Sequence, residues 1–138
     1  MNNKLSGMVA SLYEDGSKWG ETFSHIDSTT HMYAELAPIR IRMEHYLDEK
    51  LAELNAMQDV SGSQDFRLAM IHFMKMEKNM LSNAFKGIEA LNPKSTNAQI
   101  QNAINNLTNE SKKEDAELKK IRDIQNEYAR KNRFKITN

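Results

Sequence analysis

The chain has 138 residues, enough for one domain with a core of its own. Its 39% hydrophobic and 28% charged residues suit amphipathic helices, and with only five glycines and two prolines it is poor in the turn residues that long β-structure needs. The absence of cysteine excludes a disulfide framework, a thiol nucleophile and Cys-ligated zinc. No apolar run approaches the roughly 18 residues a transmembrane helix needs. The N-terminus lacks the basic start and apolar stretch of a leader, as expected of a cytosolic protein or of an exported domain whose signal has been removed.

Apolar residues recur at steps of three and four in four successive stretches, which predicts four helices over about 3–26, 29–59, 63–91 and 97–131. The first stripe is Leu5, Met8, Val9, Leu12, Gly16, Trp19, Phe23 and Ile26. Gly16 lies on this face and would admit the close approach of a neighbouring helix. A turn is expected near 27–30, with Asp27 or Ser28 as helix cap. The second stripe runs from Met32 and Leu36 through Ile39, Met43, Tyr46, Leu47, Leu51 and Leu54 to Met57. Pro38 falls inside it, and because the stripe begins before the proline a kinked helix is expected.

Val60-Ser61-Gly62-Ser63-Gln64 is a break, with Ser61 and Gln64 spaced as a capping box. The third stripe is Phe66, Met70, Phe73, Glu77, Met80/Leu81, Ala84, Ile88 and Leu91, and Asn92-Pro93 ends it. Thr96 and Gln99 form a second capping-box pattern. They open the fourth stripe of Ile100, Ala103/Ile104, Leu107, Ser111, Glu114, Leu118, Ile121, Ile124/Gln125 and Tyr128. Four helices of similar length joined by short loops imply an all-α, antiparallel up-down-up-down four-helix bundle. A helical hairpin pair that dimerises is the alternative.

Polar residues interrupt the apolar faces at Glu77, Ser111 and Glu114. Counted from the loops, these positions, together with Tyr46 and Tyr13, fall at one mid-bundle level. A lone ionised carboxylate there is too costly to keep, so Glu77 must reach the rim, hold a proton or meet a donor such as Tyr46, Tyr13 or Ser111. A di-iron bundle would need Glu-x-x-His on two helices, and that pattern is absent from the sequence. Met70, Met74, Met76 and Met80 on the third helix can fill a core, form an adaptable binding surface or bind Cu(I). His25, His31, His45 and His72 are scattered, and neither a Gly-x-Ser-x-Gly elbow nor a phosphate loop follows a strand pattern. No catalytic, cofactor-binding or metal-ligating residue is therefore assigned.

Charge is uneven. Residues 1–60 carry five basic and ten acidic side chains, net −5, and residues 61–138 carry fourteen and nine, net +5. Two oppositely charged hairpins packed side by side account for this, as would self-association or an anionic partner. The basic residues from Lys112 to Lys135 are interleaved with Glu114, Asp115, Glu117, Asp123 and Glu127, the pattern of a solvated helix face. With a pI near 6.9 this argues against nucleic acid as partner. Asn106-Leu107-Thr108 and Asn109-Glu110-Ser111 match the glycosylation pattern, which is short and commonly fortuitous.

The opening Gly62-Ser63-Gln64-Asp65-Phe66-Arg67-Leu68-Ala69 and the ending Gln125-Asn126-Glu127-Tyr128-Ala129-Arg130-Lys131-Asn132-Arg133-Phe134 resemble those of an uncharacterised bacterial four-helix-bundle family whose members look like exported or lipid-anchored envelope proteins. The resemblance implies a place at the cell envelope or periplasm and a non-enzymatic role, while the apolar and Met-rich helix faces add the expectation of a docked protein partner or self-association. It carries over no site residue, and the lipid-attachment cysteine is absent from this sequence. A bundle enclosing a carboxylate-rich ligand or metal site is the alternative.

Overall fold

The computed structural model describes residues 2–26 and 32–133. The described residues are all-helical and contain no strand. Helix α1 spans Asn2–His25 and α2 spans Ala37–Ala56, preceded by a single 3₁₀ turn at Tyr33–Leu36. Helix α3 runs over Gln64–Met80, widens into a π-helical turn at Leu81–Phe85 and closes with an α-helical turn at Lys86–Glu89. Helix α4 spans Asn97–Lys131. The expected turn near 27–30, the caps Asp27 and Ser28, and His31 lie outside the described residues, apart from the preceding Ile26, which ends α1's apolar stripe.

The apolar stripes form the core. Leu5, Leu36, Leu47, Leu54, Phe66, Met70, Met74, Leu81 and Ile88 are fully enclosed, and Trp19 and Phe73 are buried as their stripes require. Met80 is buried as well and Met76 packs half-buried against the core, so the methionines of α3 are core rather than an exposed binding surface. Helix α1 packs on α2, α2 on α3, and α3 on α4. Contacts across the chain tie the helix ends together. Lys4 pairs with Glu53 at 3.0 Å, Gln125 donates to Ser6 at 2.7 Å, and Asn132 donates to the Ser61 carbonyl at 3.2 Å.

Three local expectations are corrected. Pro38 does not kink a helix but sits in the first turn of α2. There its missing N–H costs no intrahelical bond, and the residues before it form the 3₁₀ turn instead of a first α-helical turn. Ser61 is not a capping residue. Its φ of 50° and Gly62's φ of 77° make a left-handed turn, whereas a cap needs extended backbone. The helix starts at Gln64, and the hydroxyl of the flanking Ser63 turns back to accept from Val60 N–H at 3.0 Å. Gly16 does not admit a close neighbour, since a Cβ built there would meet nothing within 4 Å. The Thr96–Gln99 box forms as read, with Gln99 N–H donating to Thr96 Oγ1 at 3.2 Å and Thr96 N–H to Gln99 Oε1 at 2.8 Å.

Arg40 is a buried charge that the apolar pattern does not announce. It donates to Glu89 at 2.7 and 3.0 Å and pairs with Glu44 at 2.8 Å, clamping the start of α2 to the end of α3. The acidic and basic halves meet along α2 and α3, where Lys78 pairs with Asp48 and, at the connecting turn, Arg67 pairs with Asp59 at 2.8 Å.

Candidate functional site

Helices α1 and α4 flank a cavity of about 310 Å³, floored by α3. Leu12, Tyr13, Gly16, Ser17, Trp19 and Gly20 of α1 face Leu107, Ser111 and Glu114 of α4 across it, Glu77, Met80 and Phe85 come from α3, and Met43 reaches in from α2. Its size lies at the small end of ligand pockets. Two glycines one helical turn apart, Gly16 and Gly20, leave the α1 wall bare, and a Cβ at either would meet nothing within 4 Å. The space therefore exists because α1 carries no side chains there.

Four of the five residues read as a polar layer, Glu77, Ser111, Glu114 and Tyr13, line this one cavity. The fifth does not. Tyr46 points its hydroxyl at α1 and donates to the Met8 carbonyl at 3.3 Å, with Lys50 lying over its ring at 5.4 Å. Height along the bundle and a place on the second stripe bring Tyr46 to the core, but they do not say which neighbour its hydroxyl reaches. Tyr13 stands at the rim, 49% exposed, and also borders a smaller space of about 150 Å³ between Leu5, Val9, Leu118, Ile121 and Arg122.

Glu77 is the unusual member. It is only 3% exposed, and its Oε1 is buried without a hydrogen-bond partner among the described residues. None of the proposed donors reaches that oxygen. Of the three outcomes open to it, Glu77 takes the second and holds a proton. Burial, seconded by the negative charge of Glu114, pushes its carboxyl up to about 8. Glu114 is itself raised, by its own burial and then by Asp115, and the Tyr13 phenol is raised by burial and then by Glu114 and Asp115.

Trp19 is the second. It is 3% exposed, and its indole Nε1–H is also buried without a partner among the described residues. Its ring packs on Phe85 at 4.2 Å between centroids and on Phe23 at 5.5 Å. Phe85 is absent from the apolar stripe of the third helix, and the π turn explains this. Lys86 N–H donates to the Leu81 carbonyl, five residues back, so this turn is wider than an α-helical one, and Ala84 and Phe85 both face inward. Within the turn Asn83 Nδ2 donates to the Asn79 carbonyl at 2.9 Å, and no sequence pattern announces the widening.

The donor set here is two carboxylates, two hydroxyls and a phenol. Among the described residues, no three His, Cys, Asp or Glu side chains gather as they would around a metal ion. His25, His45 and His72 are exposed. A larger depression of about 530 Å³ lies at the turn between α3 and α4, lined by Gly87, Leu91, Asn92, Lys94, Ser95 and Gln99 among others, but it holds no buried group lacking a partner. No family model matches the chain, and neither the curated proteins nor the solved structures yield a match.

Proposed function

We propose that this chain is a non-enzymatic binding domain whose α1–α4 cavity holds a small ligand. One observation carries this reading: an acceptor, Glu77 Oε1, and a donor, Trp19 Nε1–H, both belong to residues lining one cavity, and both are buried without a partner among the described residues. Buried polar atoms are nearly always paired, and each orphan costs about 1–3 kcal/mol. A ligand that offers each atom its complement recovers that energy.

The architecture we assign is the antiparallel up-down-up-down bundle. It is supported by the pairing of Lys4 near the start of α1 with Glu53 near the end of α2, of Arg40 at the start of α2 with Glu89 at the end of α3, and of Asn132 just past α4 with Ser61 just before α3. Placement at a bacterial envelope rests on the sequence resemblance of the α3 opening and the C-terminal ending. No helix among the described residues is long and apolar enough to cross a membrane.

The test is a ligand-observed NMR fragment screen of the native chain against Gly20→Leu, which fills the bare wall. Fragments that bind the native chain and lose binding in the variant are expected. Fragments that bind both proteins equally, or no binders at all, would refute a ligand site in this cavity.

A further inference from the structure

The geometry points to a small organic ammonium ion, with an apolar or aromatic body, as the ligand of the α1–α4 cavity. This inference rests on the binding reading above and names its ligand class. The cavity wall carries two carboxylates, Glu77 and Glu114, and among its lining residues there is no Lys, Arg or His to balance them. A buried carboxyl oxygen without a donor, in a wall that holds acidic groups and no cation, is satisfied best by a ligand that brings both the N–H and the positive charge. The remaining walls fit the rest of such a molecule. Tyr13 adds an aromatic ring at the rim, of the kind that attracts cations, and Trp19, Phe85, Leu12, Met43, Met80 and Leu107 present apolar surface. The Trp19 N–H takes an acceptor oxygen or a π face on the ligand body. An arriving ammonium converts Glu77 to its carboxylate, and the displaced proton leaves to solvent. The titratable groups around that event are Glu114 on α4 and Tyr13 on α1, with Asp115 and Arg122 beyond them, while α2 contributes Met43 to the wall.

The test compares 2-phenylethylammonium with its neutral isostere 2-phenylethanol. The readout is the fluorescence of Trp19, the sole tryptophan, titrated in the native chain and in Glu77→Gln. At about pH 8 the amine is still charged. The expected result is an affinity for the ammonium at least about tenfold above that for the alcohol in the native chain, as for a partly desolvated charge pair, with the difference abolished in Glu77→Gln. A circular dichroism melt of Glu77→Gln establishes that the variant is folded. Equal affinity for the two probes in the native chain would overturn the ammonium inference and leave the cavity reading standing. A preference for the ammonium that persists in Glu77→Gln would overturn the role of Glu77. Binding of neither probe at millimolar concentration would overturn both readings.

Discussion

Glu77→Gln should change how stability depends on pH, and the size of the change follows from the site. In the folded chain burial pushes the Glu77 carboxyl from its ordinary 4.5 up to about 8. Between those values the folded chain keeps a proton that the unfolded chain releases. The sign is therefore fixed. The contribution of Glu77 is fully present below about pH 4.5, declines as pH rises, and levels off once pH passes about 8. At pH 7 the loss comes to roughly 3–4 kcal/mol, because pH 7 lies 2.5 pH units above 4.5 and each unit is worth about 1.4 kcal/mol. Glutamine keeps the shape and cannot ionise. Urea denaturation from pH 4 to 9 should thus give curves for the two proteins that diverge progressively, with Glu77→Gln gaining roughly 3–4 kcal/mol on the native chain between pH 4 and 7. Glu114, also raised by burial, titrates in both proteins and largely cancels in the difference. Parallel curves would show that Glu77 is solvated and ionised, and would refute the reasoning.

Arg40→Ala should destabilise the chain by about 3 kcal/mol in the same assay, because it leaves the Glu89 side chain, 10% exposed, without its cation. Gly20→Ala should stabilise by about 0.5–1 kcal/mol, since helical glycine is costly and the added Cβ meets nothing within 4 Å; a loss of thermal stability would mean that α1 lies closer to α4 than the structure has it. The −5 and +5 halves pair within one molecule through Lys78–Asp48 and Arg67–Asp59, so sedimentation should give a mass indifferent to salt. A dimer that dissociates near 1 M salt, where the Debye length is about 3 Å, would place the pairing between molecules instead.

The four helices were legible because amphipathic periodicity is a direct image of a buried face, and Leu5 to Trp19 or Phe66 to Ile88 reproduce it in the core. Glu77, Ser111, Glu114 and Tyr13 were legible as a group because each interrupts a stripe or lies at the level of one that does. What escaped depended on features that carry no period. Phe85 faces inward through a π turn, Arg40 is held by Glu44 one turn on and by Glu89 far along the chain, and Gly16 opens space rather than closing it. Tyr46 shows that stripe and height do not fix a hydrogen-bond partner, since its hydroxyl serves the Met8 carbonyl instead of Glu77. Trp19 was assigned to the core and belongs there, but an unpaired N–H cannot be read from a stripe.

The most direct test of the cavity as a binding site is to locate a bound probe. Isotope-filtered NOE spectra of 2-phenylethylammonium with methyl-labelled protein should show contacts to the methyl groups of Met43, Met80, Leu12 and Leu107, which share the cavity wall with Glu77 and Trp19. Contacts confined to Leu91 and Ala103, at the depression between α3 and α4, would contradict it.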